Sequence, residues 1–200
     1  MTKYVAFLRG INVGGKKLIK MDALARAFQS LGFENVKTFI QSGNVIFDDA
    51  ETDLDILTKK IEARIHKSFG FEVPVILQTV ASLQGILERN PFKKVEPDSD
   101  LVMFVTFLAA NPPAKPKLPL LFPVENVELI AIKDRAAFLL CRRKKNGMFG
   151  FPNALVEKLG VSATTRNWTT VNKIVALAGK ELGAKSKGQR AKGKELGAKG

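Results

Sequence analysis

The chain has 200 residues, of which 46% are hydrophobic, enough for a core in one large domain or two small ones. One Cys and one His exclude an internal disulfide and a zinc site built from clustered Cys and His, while an all-carboxylate magnesium site stays open. The apolar runs are too short for a membrane span and no secretory signal is visible. We therefore expect a cytoplasmic protein with no membrane partner, and no motif indicates a cofactor.

The first half of the chain predicts the element order βαββαβ. Apolar runs typical of strands alternate with apolar residues at helical spacing. This order is the ferredoxin-like split motif, in which right-handed crossovers make the first two strands parallel and place the third between them. We assign residues 1–78 to this half. The predicted strands are Tyr4–Leu8, Val36–Ile40, Val45–Phe47 and Phe71–Leu77, with helices over 21–31 and 54–69.

Local signals refine the first half. Gly32 supplies a stop for the first helix. Thr52 followed by Asp55 resembles a capping box at the start of the second helix. Pro74 has no N–H to donate to a neighbouring strand, which predicts that the fourth strand lies at the edge of its sheet.

Residues 79–178 can be interpreted as a degraded second copy of the same unit, followed by a C-terminal helix. The fold class predicted for the chain is therefore α+β, with two tandem ferredoxin-like halves. The predicted elements are helices Val80–Arg89 and Ala154–Leu159, strands Leu101–Leu108, Val127–Ile132 and Ala136–Cys141, a short helical turn at Leu118–Phe122 within the proline-rich crossover Asn111–Pro123, and a last amphipathic helix from Trp168 to Ala178, capped by Asn167 or Thr165.

A basic tail covers residues 179–200. Gly179–Lys185 recurs as Gly193–Lys199, and the Gly, Ala and Lys content predicts disorder. Seven Lys or Arg stand against two Asp or Glu in residues 180–200. With Arg142–Lys145, the tail could bind nucleic acid non-specifically through phosphate charge. It has no aromatic residues for base stacking, and Tyr4 and Phe7 of the first strand face opposite sides of the sheet, unlike RNA-binding sheets.

The segment Gly10–Lys17 is a glycine-rich basic loop between the first strand and first helix. It nearly matches the phosphate-binding loop G-x-x-x-x-G-K-[ST], but Lys17 stands where the metal-binding hydroxyl is required. Helical periodicity also begins only at Met21, so no helix N-terminus adjoins Lys16. Nucleotide hydrolysis is therefore disfavoured. Two interpretations stay open, namely a loop that binds a phosphate or carboxylate, and a tight loop with solvated lysines.

The predicted topology brings two segments together. The C-terminal ends of the first and second strands lie at one edge of the sheet, so Arg9–Lys20 and Gln41–Asn44 should converge there. A small anionic or phosphorylated ligand could bind at this edge, with cationic, backbone N–H and amide groups in reach. The candidate ligand-binding residues are Arg9, Asn12, Gly14, Gly15, Lys16, Gln41, Ser42 and Asn44, with Arg166 completing the set.

Other reactive residues allow two interpretations each. Cys141 is either a thiol activated by the four cations after it or a buried structural thiol. The acidic residues between Asp48 and Asp55 could hold a cation or could favour a helix N-terminus. Arg166 could clamp an anion beside Trp168, or could be a structural ion-pair partner with Trp168 in the core. His66 lies off the apolar face of its helix, so no Ser–His pair is indicated.

No acid–base pair can be named from the sequence. No catalytic residue is therefore assigned, and an enzyme of unknown reaction remains an alternative to the two binding functions.

Three stretches together resemble a widespread, mostly bacterial family of uncharacterised proteins, classed as a domain of unknown function. They are Leu8–Gly15 (LRGINVGG), Thr38–Val45 (TFIQSGNV) and Thr164–Val171 (TTRNWTTV), and the resemblance runs from about Tyr4 to Leu177. It implies an α+β fold with two ferredoxin-like halves, and it brings no activity, substrate or catalytic residue. The lysine-rich tail lies outside the family pattern.

Overall fold

The computed structural model describes residues 1–96, 98–114, 116–150, 152, 158 and 160–179. These residues form an α+β protein with four helices and two antiparallel sheets, one of four strands and one of five. Apart from Lys158, the predicted helix Ala154–Leu159 lies outside the described residues, as does the tail beyond Gly179. None of the described helices has the length and apolar character needed to cross a membrane.

The elements follow one another in a simple order. In the first half this order is βαββαβ, as predicted, whereas the described residues of the second half form one helix, five strands and a last helix. The bounds are β1 (Thr2–Leu8), α1 (Met21–Gln29), β2 (Glu34–Phe39), β3 (Asn44–Asp49), α2 (Leu54–Phe69), β4 (Val75–Thr79), α3 (Val80–Arg89), β5 (Leu101–Leu108), β6 (Leu120–Phe122), β7 (Val127–Lys133), β8 (Ala136–Arg142), β9 (Ala163–Asn167) and α4 (168–179).

The first sheet has the strand order β2-β3-β1-β4, with each neighbouring pair antiparallel. β1 and β2 are therefore parallel to each other with β3 between them, as the topology predicted. β4 lies at the edge of this sheet and begins directly after Pro74, which agrees with the missing N–H donor of that residue. The C-terminal ends of β1 and β2 consequently point to the same side.

The second sheet has the strand order β6-β7-β8-β5-β9 and is antiparallel throughout. The helical turn predicted at Leu118–Phe122 is wrong, because Leu120–Phe122 pairs with Val127–Leu129 as strand β6. β9 was not predicted as a strand. It pairs with β5, and the Thr106 and Thr165 hydroxyls lie 2.7 Å apart across the pair. In both cases a lateral partner, which local sequence does not reveal, decides the conformation.

Side-chain caps begin three of the four described helices, and at α3 the Thr79 Oγ1 accepts from the Ser82 N–H at 3.0 Å. At α2 the cap is Asp53 rather than Thr52, since the Asp53 Oδ1 accepts from the N–H groups of Asp55 at 2.8 Å and Ile56 at 3.1 Å. The predicted capping box is therefore wrong by one residue. At α4, Asn167 is the cap, as one of the two predicted alternatives, because its Oδ1 accepts from the Thr169 N–H at 2.8 Å.

The core has three layers. Alternate β1 side chains point to opposite faces of the first sheet, and β1 is buried on both. One face packs on α1 and α2. The other packs on the second sheet, α3 and α4, where the Phe7 and Phe107 rings stack with centroids 4.2 Å apart. A third cluster, which contains Leu129 and Cys141, fills the far face of the second sheet. The two halves therefore share a core.

Candidate functional site

The glycine-rich loop is a miniature β-hairpin. Val13 and Lys16 form an isolated antiparallel bridge, and the Lys16 N–H donates to the Val13 carbonyl at 3.1 Å. Gly14 (φ 58°) and Gly15 (φ 74°) both occupy the left-handed region that a two-residue type I′ turn requires. The Lys16 amide is therefore turned back to its own hairpin instead of towards a phosphate. We call residues 12–17 the basic hairpin.

Asn12 joins the basic hairpin to the neighbouring turn. Its side-chain Oδ1 accepts from the Ile19 N–H at 2.8 Å. Its Nδ2 donates to the carbonyls of Ile19 at 3.0 Å and Gln41 at 2.9 Å. The backbone N–H of Asn12 also donates to the Lys17 carbonyl at 3.2 Å. The two segments that topology predicted to converge do meet, and Asn12 is the residue that links them.

Arg166 is a buried cation beneath this edge, with 7% of its surface exposed. It comes from β9, in the other half of the chain, and reaches the ends of β1 and β2. All its hydrogen-bond acceptors are neutral oxygens. Nε donates to Asn44 Oδ1 (2.5 Å), Nη1 to Thr164 Oγ1 (2.9 Å) and the Thr165 carbonyl (2.8 Å), and Nη2 to the carbonyls of Leu8 (2.7 Å), Ser42 (3.0 Å) and Gly43 (3.1 Å).

This arrangement makes Arg166 a positioning residue. Each guanidinium nitrogen already donates to protein oxygens, so none of the three is left over for a ligand. Burial lowers the pKa of Arg166 to about 10, which leaves the group charged at neutral pH. Its guanidinium carbon also lies 5.5 Å from the centroid of the Phe7 ring. A structural partner was one predicted alternative, although its partners are carbonyls and amides instead of a carboxylate.

Asn44 and Gly43 complete the internal part of the edge. Asn44 is fully buried, and its Nδ2 donates to the Phe39 carbonyl at 2.9 Å and to Ser42 Oγ at 3.1 Å, which closes the turn between β2 and β3. Gly43 has φ 77°, and a Cβ there would lie 2.6 Å from Ile11 Cδ1 and 2.9 Å from Leu8 Cβ. Only glycine fits this position.

The remaining predicted residues face solvent around this buried framework. Arg9 is half-buried, with Nη1 3.5 Å from the Ser162 hydroxyl. Two further lysines of the loop, Lys17 and Lys20, are exposed beside them. Lys17 is anchored, because its Nζ donates to the Glu72 carbonyl at 2.6 Å. We call this set the basic edge. It comprises the half-buried Arg9 and the exposed residues Gly14, Gly15, Lys16, Lys17, Lys20, Gln41 and Ser42.

Ile40 adds strain to this edge. It stands between β2 and Gln41 with φ 50° and is 49% exposed. A β-branched residue in the left-handed region costs about 1–3 kcal/mol, and such residues concentrate at functional sites. Val13 and Leu18 nearby in the loop are also exposed, at 65% and 68%. Exposed apolar side chains therefore lie beside the cations of the basic edge.

A cleft of about 420 Å³ lies at the same end of the first sheet, between α2 and the segment before β4. Lys59, Glu62, His66 and Glu72 contribute to its wall. Glu62 has a structural task there, since its Oε1 accepts from the Val75 N–H at 2.8 Å. His66 is exposed, as its place off the apolar face predicted.

The other reactive residues have structural surroundings. Cys141 is buried, and burial raises its pKa to about 12, so the thiol is protonated at neutral pH and the structural alternative holds. Asp53 caps α2, and Asp48 lies 2.9 Å from Lys3 Nζ. Among the described residues, no group of three or more His, Cys, Asp or Glu could hold a metal ion. Trp168 is half-buried against the Phe92 ring, at 5.1 Å.

Comparisons with known proteins agree with this fold. The structure of conserved bacterial protein SP0830 from Streptococcus pneumoniae resembles the chain with a TM-score of 0.61 and 21% sequence identity, over 88% of this chain and 97% of that one. No curated protein matches the chain significantly in sequence. A family model described as "Protein of unknown function (DUF1697)" matches residues 1–138, so the chain belongs to the DUF1697 family.

Proposed function

We propose that the basic edge binds a small anionic or phosphorylated ligand. The observation that carries the proposal is the Asn12 bridge, which holds the basic hairpin against the turn that bears Gln41. Arg9 and Lys16 supply positive charge on one side of the bridge, and Gln41 and Ser42 supply hydrogen-bonding groups on the other. The backbone N–H groups of the hairpin tip at Gly14 and Gly15 add donors that need no side chain.

The nine residues predicted for this site divide into two roles. Asn44 and Arg166 are buried and Asn12 is bonded on both sides of its amide, so these three hold the edge in place. The other six contact the ligand. Preorganisation of this kind favours binding, because the loop loses little conformational freedom when the ligand arrives.

The test is a thermal-shift titration with inorganic phosphate, pyrophosphate and a nucleoside monophosphate. A ligand present at 100 times its Kd stabilises the protein by about 2.7 kcal/mol. We expect at least one of the three to raise the melting temperature of the wild type and of Lys94→Ala, an exposed lysine after α3. Lys16→Ala should lose most of the shift. Equal shifts in Lys16→Ala and the wild type, or no shift with any of the three, would contradict the proposal.

A second candidate function is non-specific binding of nucleic acid through the tail. Its seven Lys or Arg in residues 180–200 support it. Arg142–Lys145 supports it less, because Arg143 pairs with Asp100 at 2.8 Å and Arg142 lies 3.5 Å from Asp98. DNA binding of the full chain and of a 1–178 truncation should be compared at low and moderate salt. Tight, salt-sensitive binding by the full chain alone is expected, and equal weak binding by both would contradict it.

We also infer that the chain consists of two ferredoxin-like halves in tandem, with the boundary near residue 78. The inference is supported by strand order, since β7-β8-β5-β9 repeats the arrangement β2-β3-β1-β4 with corresponding places along the chain. β6 is then an added edge strand in the second half. Duplication of one unit would account for a shared core between the halves.

A further inference from the structure

A second cleft lies where the two halves meet, at the other end of β4 from the basic edge. β4 pairs with β1 from Val75, opposite Leu8, to Thr79, opposite Tyr4. At about 3.3 Å per residue, this strand separates the two places by about 13 Å. We call this cavity of about 440 Å³ the junction cleft, and its wall comprises Leu54, Gln78, Thr79, Ser82, Asn111, Asp134 and Arg135.

Gln78 carries an unpaired, buried donor beside the junction cleft. Its side chain is only 3% exposed and follows Ile76 on the face of β4 that packs on the second half. The Gln78 Oε1 accepts from the Ser82 hydroxyl at 3.1 Å, whereas the Gln78 Nε2 has no hydrogen-bond partner. A buried donor without an acceptor costs about 1–3 kcal/mol, so native proteins seldom retain one without a reason. The Nε2 atom is itself buried beside the cleft, so the amide has to turn before a partner in the cleft can reach it.

The charge on the wall favours an anionic acceptor. Arg135 lies in the tight turn between β7 and β8, with φ 56°, a position where Asn or Gly is usual. Its Nη1 donates to the Ala109 carbonyl at 3.2 Å. Asp134 carries a carboxylate in the same wall, but it is paired with Arg89 at 2.5 Å. The helix α3 begins at Val80 beside the cleft, so its positive N-terminal end also faces that region.

We propose that the junction cleft binds a small organic ligand through a single carboxylate. When the ligand binds, the Gln78 amide turns towards the cleft and its Nε2 donates to one carboxylate oxygen. The charge is compensated by Arg135 and the N-terminal end of α3. A monoanion fits better than a phosphate dianion. Asp134 adds a negative charge to the same wall, and Arg135 is the arginine of that wall that is available to balance the ligand's charge. The volume is within the range of about 300–1,000 Å³ typical of small-molecule sites.

The experiment titrates the full chain with acetate, pyruvate, succinate and glutamate, and with inorganic phosphate for comparison. Thermal shift measures binding, and the Gln78 side-chain NH₂ signals in a ¹H–¹⁵N spectrum report its location. We expect at least one carboxylate to raise the melting temperature and to move the Gln78 signals, with phosphate at least about tenfold weaker. No response to any of the four carboxylates, or equal binding of phosphate, would overturn the proposal.

Two variants separate this role from a structural one. Gln78→Met keeps the length of the side chain and removes the unpaired amide, so the unliganded protein should melt higher while its carboxylate response disappears. Arg135→Gln changes a turn residue outside the core and should weaken carboxylate binding about tenfold without lowering stability. Lys94→Ala serves as the control and should bind as the wild type does. An unchanged carboxylate affinity in both Gln78→Met and Arg135→Gln would overturn the proposal.

Discussion

The basic edge and the junction cleft occupy opposite ends of β4 and differ in how their buried polar groups are satisfied. Beneath the basic edge, the guanidinium of Arg166 is paired on all three nitrogens with carbonyl, hydroxyl and amide oxygens. In the cleft, the Gln78 amide is paired on one side only. A satisfied group is committed to holding the fold, whereas an unsatisfied one points to something that binds. Arg166, with its many hydrogen bonds, is therefore a less direct guide to a ligand than Gln78.

Replacement of Arg166 should have the largest effect of any single change at the basic edge. Arg166→Met removes the donors to Asn44, Leu8, Ser42 and Gly43. The buried Asn44 Oδ1 then loses its donor, whereas the Gly43 carbonyl still accepts from the Leu8 N–H at 2.8 Å. We expect the free energy of unfolding to fall by about 3 kcal/mol or more, measured by urea denaturation. Arg166→Lys keeps the charge and should recover only part of the loss, since an ammonium group cannot reach all these oxygens.

Lys16→Ala is the matched control for that comparison. Lys16 lies exposed at the same edge, so its replacement should change stability by less than about 0.5 kcal/mol. If Arg166→Met were as stable as Lys16→Ala, the view that Arg166 holds the edge together would be wrong.

Gly43→Ala should have the next largest effect on the free energy of unfolding. The new Cβ would meet Ile11 and Leu8 closer than 3.0 Å, in a backbone conformation that L-residues avoid. We expect a loss of about 2–3 kcal/mol from the free energy of unfolding, again by urea denaturation.

Gly14→Ala separates the two causes of that loss. Its φ is also positive, at 58°, but nothing lies within 4 Å of its Cβ, so it should cost only about 1 kcal/mol. Equal costs at Gly43 and Gly14 would show that crowding by Ile11 and Leu8 is irrelevant.

Local patterns predicted most of the framework but not the bonds that hold the edge. Apolar periodicity predicted β1, β3, β5 and the last helix, because the buried residues of these elements are apolar and recur at the spacing of a strand or a helix. β9 was missed, since Thr164 and Arg166 are polar and the strand depends on its pairing with β5. The convergence of Arg9–Lys20 with Gln41–Asn44 followed from topology alone.

The partners of Arg166 and the role of Gln78 depend on tertiary structure. Arg166 and Asn44 are 122 positions apart, and no local signal joins them. Gln78 does have a sequence signal, because this polar residue directly follows the apolar run Val75–Leu77. An amide side chain in a buried strand predicts a specific hydrogen-bonding role, since both its oxygen and its NH₂ group need partners.

Cys141 extends the comparison to a buried group far from both sites. Its folded pKa is raised to about 12 from an ordinary value of 9.0, so the unfolded chain loses the thiol proton first. Between pH 9 and 12 the unfolded state therefore binds fewer protons, and stability should fall as pH rises, by about 1.4 kcal/mol per pH unit. The difference in unfolding free energy between wild type and Cys141→Ala isolates this contribution. A difference independent of pH above 9 would contradict it.

Ile40 offers the smallest and most specific test of the basic edge. Its φ of 50° is costly for a β-branched side chain, and half of that side chain is exposed, so little packing compensates. Ile40→Asn should raise the free energy of unfolding by about 1 kcal/mol, because Asn tolerates the left-handed conformation. Val13 is an exposed residue of the hairpin without a positive φ, so Val13→Asn should not raise the free energy of unfolding. If the strain serves binding, the stabilised Ile40→Asn variant will bind phosphate probes more weakly than Val13→Asn does. The opposite order of affinities would show that the strain at Ile40 does not contribute to ligand binding.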